Sequence, residues 1–572
     1  MKKTITLLSV CLTVLVLSGS VLAGETDQAV TNYSVWIGSH YTEFTDNAKK
    51  IGEYNLGNTE MLPEVGLDLM SRSKGKLLSF SSYYFDDQNM RAILHAVSGD
   101  RLSFELSYRS MVIQNGQDLL TNIAAKEAAA AKMLTHDITD PGADYNYTRQ
   151  EILSKVSLLL SEKGKVRFVA AHRSILKNGT EQAIASTHCF SCHLTSETVA
   201  VDKRTHTVEA GLEAEVSNFD VGYTVGYRLF ESGMADPEAR WDEAVHPWNI
   251  DAEPYLSEFP TRLVYSDTTQ PYAALPRTEK ISHKVRLKGK VGKGRLASSF
   301  GYSKATNDRT DLSTDALSGA LSYAVPLSPK SRLIAKASMV RLTADDIFID
   351  LPTFREGRPG WTEDFDHTRY SSLDRSVAKV SAEFISRITP KMTLSILAGY
   401  DRVDRDDYPV PDEGWTTSTL RGQAKLRYRK GLKYSTSLKY RFEKTTDPFM
   451  SGRGFFEDVG RDLLTPAGGG STIFYHQREE IRYQNITTEP TVAHKVEWSS
   501  SWRPTSKVNV NFGVKGSYDK NNDLDSLDVN HLSVQPNLFL NLIPNSRTVV
   551  TAGFTLSHQK SRGPITVALF DG

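Results

Sequence analysis

The sequence predicts an all-β protein, a large antiparallel transmembrane β-barrel of roughly 22 strands, within a range of about 20 to 26. Three observations predict this fold. Polar and apolar residues alternate along most of the chain, segments of about ten such residues recur, and short and long connections between them alternate. Together they are typical of strands that cross an outer membrane, with short turns in the periplasm and long loops outside.

The first 23 residues have the pattern of a secretory signal peptide, in which two lysines precede an apolar run and Val21-Leu22-Ala23 fits the cleavage rule. That run is interrupted too soon for a membrane-spanning helix, and no later stretch has the roughly 18 apolar residues that such a helix needs. The mature chain is therefore expected to leave the cytoplasm, with residues 24–45 as an N-terminal segment and residues 46–572 as the barrel.

Alternation is clearest in residues 432–442, where Tyr434 and Leu438 fall on one face and Lys433 and Arg441 on the other. In a soluble β-sandwich the apolar faces of two sheets would meet over one core. In a membrane barrel they point into lipid and the charged faces line a wet lumen. Alternation alone is compatible with both folds.

The connections favour the barrel, because tight turns alternate with long links. Tight turns are expected at residues 162–164, 217–219, 292–294, 328–330, 389–391, 504–506 and 544–546. Long links are expected at residues 175–204, 232–278, 345–372 and 447–490. Aromatic residues near the strand ends, where an interfacial girdle would lie, are Tyr400, Tyr428, Tyr440, Phe442 and Trp502. The lipid bilayer of the bacterial outer membrane is therefore an expected partner.

Charge and helical content exclude other classes. The formal net charge is +0, so there is no basic excess to neutralise phosphates, and nucleic acid is not an expected partner. Helical periodicity is scarce. The clearest helical stretch is the Ala-rich segment 122–133, which is expected to form a short helix in a long loop.

The motif Cys189-Phe-Ser-Cys192-His193 has the spacing that attaches a c-type haem. Two thiols form thioether bonds to the macrocycle, and the adjacent imidazole of His193 ligates the iron. The third cysteine, Cys11, lies in the signal peptide, so both mature thiols belong to this motif. One covalent haem c is expected, in the 175–204 loop, which either lies at the outer end of the barrel or folds inward from that end as a plug.

Other interpretations of this motif stay open at the level of sequence. Cys189 and Cys192 could form a disulfide, and a zinc site would need more ligands than the motif supplies. The second axial ligand of a haem iron could be His206 or His172, which bracket the loop. It could also come from a partner, or be absent.

The N-terminal block Thr45-Asp-Asn-Ala-Lys-Lys-Ile-Gly-Glu-Tyr-Asn55, which follows Val35-Trp-Ile-Gly38, resembles the opening of the MtrB/PioB family of outer-membrane porins. The resemblance implies a porin-cytochrome conduit, in which a barrel sheaths a periplasmic multihaem c-type cytochrome in its lumen. It also implies, in many cases, a surface multihaem cytochrome beyond the barrel. A plain sheath would not need the 189–193 motif, so the haem assignment rests on those residues and not on the family.

The leading functional hypothesis is thus a non-enzymatic electron-transfer scaffold that carries one haem of its own. A solute porin whose cysteine pair forms a disulfide is the alternative. A surface enzyme is a third functional class. Its metal site would use acidic residues of the long loops, such as Asp345 and Asp346. The sequence offers no set of nucleophile, base and orienting group to support it.

Overall fold

The computed structural model describes the greater part of the mature chain. The described residues are 30–41, 61–120, 134–163, 165–186, 192–240, 269–271, 273, 275–349, 354–355, 362–363, 367–369, 371, 373–405, 414–448, 489–523, 529–545 and 548–563. The predicted signal peptide, the predicted helix at 122–133 and Cys189 lie outside these residues.

Strands account for all the regular structure described. Their bounds are β1 Val30–His40, β2 Leu62–Ser73, β3 Lys76–Tyr84, β4 Met90–Ser98, β5 Leu102–Asn115, β6 Leu134–Ile138, β7 Tyr145–Ser161, β8 Val166–Ser186, β9 Cys192–Val216, β10 Phe219–Ser232, β11 Glu238–Arg240, β12 Thr269–Pro271, β13 Thr278–Val291, β14 Gly294–Asn307, β15 Leu312–Ser328, β16 Ser331–Ala344, β17 Ile347–Ile349, β18 Phe354–Arg355, β19 Thr362–Glu363, β20 His367–Arg369, β21 Arg375–Thr389, β22 Met392–Arg405, β23 Trp415–Lys430, β24 Tyr434–Thr446, β25 Val492–Thr505, β26 Val508–Lys520, β27 Asn530–Asn545, β28 Thr548–Thr555 and β29 His558–Arg562. Among the described residues, no helix is long and apolar enough to span a bilayer.

The long strands form one antiparallel meander, in which each strand pairs with the next long strand along the chain. Without β6, the main sheet contains 22 strands. They form 21 neighbouring positions across the sheet, because β28 and β29 pair with different parts of the same strand, β27. The predicted all-β antiparallel fold is confirmed. The short strands form three small sheets, β11–β12, β17–β20 and β18–β19, in the long connections. The remaining strand, β6, adds to the main sheet by a parallel pairing with β9.

The tight turns lie together at one end of the sheet, which we call the short-turn end. The structure confirms the predicted turns there: Val216 is followed by Phe219 across Ser217, and Val291 by Gly294 across Gly292. Ser217 and Gly292 have φ of 57° and 57°, the left-handed conformation that lets a strand reverse in two residues. The long connections and small sheets lie at the other end, the long-loop end.

The two faces of the sheet differ in chemistry. One face carries large apolar side chains that are exposed to the surroundings, among them Tyr223, Val285, Phe300, Leu321, Met339, Val380, Ile396, Leu420, Leu438, Val496 and Leu538. The other face carries ion pairs such as Arg421 with Glu443 at 3.0 Å. An exposed apolar band of this extent is the mark of a lipid-facing surface. The apolar face is therefore the outer face, and the chain is a protein of the bacterial outer membrane.

Aromatic side chains lie near the ends of this outer face. At the short-turn end the Tyr428 and Tyr434 ring centroids are 6.2 Å apart, and Trp502 lies opposite Tyr434 in the register. Further along the strands the Tyr440 hydroxyl is hydrogen-bonded to Nδ1 of His494 at 2.8 Å. Amphipathic rings favour the boundary between lipid and water. The predicted positions of Tyr428 and Trp502 near strand ends are thus confirmed.

The N-terminal part of the sheet differs from the expected boundary at residue 46. Strand β1 pairs with β2 along eleven positions, from Val30 opposite Arg72 to His40 opposite Leu62, so residues 30–40 belong to the sheet. Within the described residues the other edge of β1 has no partner strand, and β28 and β29 pair with β27 alone. β1 is the first strand position and β28 the twenty-first, and each position runs antiparallel to the one before it. β1 and β28 therefore run in the same direction.

Candidate functional site

The described part of the cysteine motif, Cys192 and His193, opens a strand of the longest hairpin that the structure describes. Strand β8 continues to Ser186 and β9 begins at Cys192, so the expected 175–204 loop is largely strand. The register runs without a shift from Arg167 opposite Glu213 to Ser186 opposite Leu194. The expectation of a loop is therefore corrected to a β-hairpin, while its location at the long-loop end is as expected.

The upper part of this hairpin projects beyond its neighbours. The pairing of β8 with β7 ends at Gly179, and the pairing of β9 with β10 ends at Lys203. Seven further residue pairs, from Thr180–Ala200 to Ser186–Leu194, extend the hairpin beyond Gly179. At about 3.3 Å per residue this is a projection of about 23 Å. We call it the projecting hairpin, residues 180–200.

Gly179 marks the point where β8 leaves β7. A Cβ atom at this position would lie 2.1 Å from the carbonyl oxygen of Asn146 and 2.5 Å from the Cα of Tyr147. Its φ of 155° is also one that other residues rarely adopt. Glycine is thus required because the β7 backbone approaches too closely for any side chain.

Two chain segments flank the projecting hairpin and hold it. On the β8 side, Gln182 is tied to Asp118, since the Asp118 N–H donates to Gln182 Oε1 at 2.7 Å and Gln182 Nε2 donates to the Asp118 carbonyl at 2.8 Å. On the β9 side, the Thr139 N–H donates to the Ser196 carbonyl at 2.9 Å. The N–H of Thr198 donates to the Asp140 carboxylate at 3.1 Å.

The projecting hairpin and the segments beside it are one of the few places where the chain buries side chains as a soluble protein does. Tyr145 is 1% exposed and Val201 3% exposed, and Leu120 and Ala185 are also buried. The Ser196 side chain is completely buried. Apolar burial of this kind stabilises a structure that stands outside the lipid.

Strand β6 is the part of this site that sequence reasoning missed. It pairs in parallel with the start of β9, with Leu134 opposite Cys192, Thr135 opposite His193 and His136 opposite Leu194. Five residues are too few to show a period of two, and the 122–133 segment before them has a helical pattern. No local signal therefore indicated that residues 134–138 reach the haem motif.

The structure separates His193 from both histidines proposed as second axial ligands. His206 lies on the same strand, thirteen residues further along, which corresponds to about 43 Å at about 3.3 Å per residue. His172 stacks against His206, with ring centroids 6.2 Å apart, so it is equally remote. Both lie on the outer face with Val208, which is 49% exposed and lies opposite His172. With β9 in this course, both residues are too far from His193 to share an iron with it.

Two of the three residues of the motif lie among the described residues, at the start of β9. Cys192 and His193 are the first two residues of β9, and Cys189 precedes them by the spacing that two thioether bonds require. The tip lies beyond the ladders to β7 and β10, so a macrocycle there displaces no wall strand. In the described part of the chain, no group of three or more His, Cys, Asp or Glu residues is placed to hold a metal ion.

The acidic residues considered for a surface enzyme have local structural roles. The Asp345 carboxylate accepts hydrogen bonds from the Ser313 N–H at 2.7 Å and hydroxyl at 2.8 Å. These bonds hold the pKa of Asp345 below its ordinary value. The Asp346 carboxylate accepts a hydrogen bond from the Ser371 N–H at 2.7 Å. Both residues fix the connection after β16.

The inner face combines ion pairs with a row of basic residues on β13. The Glu443 side chain is 15% exposed and lies 3.0 Å from Arg421 and 3.4 Å from Lys495, and it also pairs with Arg441. On β13, Lys284, Arg286 and Lys288 occupy alternate positions. The residues opposite them are Thr224, Gly222 and Asp220 on β10 and Gly301, Ser299 and Ala297 on β14. One part of the inner wall is therefore ion-paired. On β13, Lys288 lies opposite Asp220, whereas the residues opposite Lys284 and Arg286 are small and uncharged.

Comparisons with known proteins find similar solved structures but identify no family. No protein-family model and no curated protein matches the chain. Among solved structures, it is similar to the FrpB iron transporter from Neisseria meningitidis, with a TM-score of 0.45, 9% identity, and coverage of 91% of this chain and 74% of that one. It is also similar to the ferric enterobactin receptor PfeA from Pseudomonas aeruginosa, with a TM-score of 0.49, 7% identity, and coverage of 92% and 75%. For the alcaligin outer-membrane receptor FauA from Bordetella pertussis the TM-score is 0.42, with 8% identity and coverage of 93% and 74%.

Proposed function

We propose that this chain is the outer-membrane barrel of a transmembrane electron-transfer conduit. In this function the barrel sheaths a periplasmic multihaem c-type cytochrome in its lumen, and it carries one covalent haem c at Cys189, Cys192 and His193. A surface multihaem cytochrome is a further partner on the outside. The protein is then an electron-transfer scaffold and not an enzyme. The resemblance to the MtrB/PioB family stays a prediction.

The observation that carries the proposal is the location of the motif on the projecting hairpin. A haem at this tip lies about 23 Å beyond the point where β8 leaves β7, on the side of the long loops. The hydrocarbon layer is about 30 Å thick, and one macrocycle is much smaller, so a single haem cannot cross the membrane alone. A haem at the tip therefore serves as a terminal station for electrons that other haems bring through the lumen.

The chain's own residues have separable roles in this function. The thiols of Cys189 and Cys192 tether the macrocycle, and the His193 imidazole ligates the iron. The haem itself supplies reversible one-electron chemistry. The basic row Lys284, Arg286 and Lys288 attracts an acidic protein surface into the lumen through charge complementarity. Ser196, Thr139 and Asp140 hold the hairpin in place.

Haem staining of the purified full-length protein after denaturing electrophoresis tests the covalent haem. We expect staining of the wild-type band and its loss in a Cys189→Ala, Cys192→Ala double variant, because both thioether bonds are then missing. Affinity purification from outer membranes, followed by identification of co-purifying haem proteins, tests the conduit. Wild-type protein without covalent haem would refute the haem assignment, and wild-type protein without any haem-protein partner would refute the sheath.

A solute porin is the second candidate, and the basic row on β13 is the observation that favours it. Lys284 and Arg286 would concentrate small anions in a wet lumen by the same long-range attraction. Cys189 and Cys192 would then be joined as a disulfide. Conductance of the purified chain in planar bilayers, with preference for anions and with no haem stain, would support the porin in place of the conduit.

A further inference from the structure

Basic residues recur at the same position of four ascending strands, which run from the short-turn end toward the long-loop end. These strands are β14, β16, β22 and β24, and one descending strand separates each from the next. Each basic residue comes ten residues after the first residue of its strand: Lys304 after Gly294, Arg341 after Ser331, Arg402 after Met392 and Lys444 after Tyr434. We call Lys304, Arg341, Arg402 and Lys444 the cationic belt.

The cationic belt lies on the outer face and marks the end of its apolar band. Alternate residues of a strand share a face. Two positions before each cation that face carries a large apolar or aromatic side chain: Tyr302, Met339, Tyr400 and Phe442. Two positions after each cation it carries a polar one: Thr306, Thr343, Asp404 and Thr446. The belt therefore stands at the boundary between the apolar band and the polar ends of the strands.

The register between the strands is staggered in a regular way. Arg341 and Tyr302 both lie opposite Leu317, so Arg341 is two residues lower in the register than Lys304, at a distance of two strands. The same stagger separates the next cations, since Arg402 and Met339 share Ala378, and Lys444 and Tyr400 share Leu420. Two residues of about 3.3 Å over two strand spacings of about 4.8 Å give a tilt of about 35°. Strands of outer-membrane barrels are tilted by about 35–45°, so the four cations lie at one height in the membrane.

That height is the outer edge of the hydrocarbon layer. Ten residues at about 3.3 Å each span about 33 Å along a strand. With a tilt of about 40° this is about 25 Å above the short turns, which is the usual height of the apolar band of such a barrel. The side chains of the belt therefore reach the headgroups of the outer leaflet.

Three members of the belt, Lys304, Arg341 and Lys444, form no ion pair within the described residues, whereas Arg402 pairs with Asp404 at 2.8 Å. The carboxylate opposite Lys304 is that of Asp315, which accepts a hydrogen bond from the Tyr302 hydroxyl at 2.7 Å. The residues opposite Arg341 and Lys444 are uncharged: Leu317, Ser376, Leu420 and Val492. A cation at the edge of hydrocarbon is stabilised when it reaches water or an anionic headgroup.

The belt covers one sector of the outer face. On the ascending strands β8 and β10, the residues at the same count from the strand start are Leu176 and Leu229. Simple contact with lipid headgroups applies to the whole circumference, so it does not explain cations on β14 to β24 alone. A localised row of cations at constant height instead indicates a particular anionic ligand in the bilayer.

We infer that the cationic belt binds the phosphate groups of a phosphorylated glycolipid in the outer leaflet, with the acyl chains packed on the apolar face below. Phosphate oxygens accept charge-assisted hydrogen bonds from Lys304 and Lys444, and the planar guanidinium of Arg341 donates to two oxygens at once. The inference goes beyond the proposed function, because it needs neither a haem nor a cytochrome.

Binding of diphosphoryl lipid A tests this inference, since the molecule combines phosphates with acyl chains. The full-length protein is purified in a zwitterionic detergent and stripped of lipid, and its affinity for lipid A is measured by native mass spectrometry. In the triple variant Lys304→Gln, Arg341→Gln, Lys444→Gln the affinity should fall about tenfold or more, because three cations are lost at the headgroup level.

A matched control removes the same charges from the inner face. The triple variant Arg295→Gln, Lys336→Gln, Lys425→Gln should stay within about twofold of the wild type, because these side chains are remote from the lipid and screened by salt. Dephosphorylated lipid A should bind the wild type as weakly as diphosphoryl lipid A binds the outer-face variant. Heat-dependent mobility in electrophoresis reports that each barrel is folded.

Two results overturn the inference. One is an equal affinity of the wild type and the outer-face variant for diphosphoryl lipid A, or an equal loss in the inner-face control. The other is displacement of lipid A by inorganic phosphate alone, which would show a site for free anions in place of a lipid site. Neither result involves haem staining or a co-purifying cytochrome, so the proposed function stands or fails separately.

Discussion

The barrel wall and the projecting hairpin are built from the same kind of antiparallel ladder, but they are stabilised differently. On the wall, large apolar residues such as Phe300 and Leu420 stay exposed, at 52% and 56%, because lipid covers them. The projecting hairpin and the segments beside it instead bury Tyr145, Leu120 and Ser196 within the chain itself. The hairpin lies outside the lipid, so it is stabilised by a small core and by polar contacts of its own.

The largest effect on the wall is expected from Glu443→Ala. The change removes the carboxylate that joins Arg421, Arg441 and Lys495 and leaves three cations close together. We expect the free energy of unfolding of the barrel to fall by about 2 kcal/mol, measured by urea titration with heat-dependent electrophoretic mobility. Glu497→Ala is the control, because Glu497 is 50% exposed and pairs with Lys439 alone at 3.0 Å, and it should cost less than about 1 kcal/mol. Equal losses would show that the cluster is not cooperative.

The next largest effect is expected at the junction of the two regions, from Gly179→Ala. The new Cβ would collide with the Asn146 carbonyl oxygen, so the projecting hairpin should be destabilised by more than about 1 kcal/mol. Hydrogen exchange of residues 180–200 and haem content measure the effect. Gly422→Ala is the matched control on the wall, since nothing lies within 4 Å of its added Cβ. Faster exchange across the whole barrel in Gly179→Ala would mean that hairpin and wall are one cooperative unit.

A smaller effect on stability is expected from the inner face of β13. In the double variant Lys284→Ala, Arg286→Ala the residues opposite are small or uncharged, so the free energy of unfolding should change by less than about 0.5 kcal/mol. Retention of an acidic cytochrome, measured by co-purification over a salt series, should fall and lose part of its salt dependence. Lys439→Ala, which removes a cation already paired with Glu497, is the control. Unchanged retention would exclude the basic row as a docking surface.

The smallest effect is expected from acidification of the long loops. Arg309 binds both oxygens of Asp236, at 2.7 and 2.6 Å, and this pair holds the pKa of Asp236 below its ordinary value. A carboxylate with a lowered pKa stabilises the folded state at neutral pH, and that contribution is lost as the pH falls through the lowered value. The protection of residues 233–237 against hydrogen exchange, relative to the intrinsic rate at each pH, should therefore fall in acid, and Asp236→Asn should remove this pH dependence. An Asp236→Asn variant with the wild-type pH profile would contradict the assignment.

Much of the wall could be predicted from sequence, because a lipid-facing strand needs an apolar residue at every second position. The turns at 217–219 and 292–294 could also be predicted, since short reversals need residues that adopt the left-handed backbone conformation. The contribution of β1 was not, because one alternating segment fits equally inside or outside a barrel. The pairing of β6 with β9 could not be predicted from the sequence, for another reason. His136 and His193 are far apart in the sequence, and their proximity depends on the tertiary contacts of Thr139 and Ser196.

The shared direction of β1 and β28 determines what can seal the barrel. Both strands ascend from the short-turn end, so a direct junction would be parallel, unlike every other wall contact. In hydrocarbon, each amide or carbonyl left without a partner costs several kcal/mol, so every strand edge that meets lipid needs a partner. A strand that paired antiparallel with both β1 and β28 would have to descend toward the short-turn end. The directions of these two strands therefore fix the polarity of any such partner.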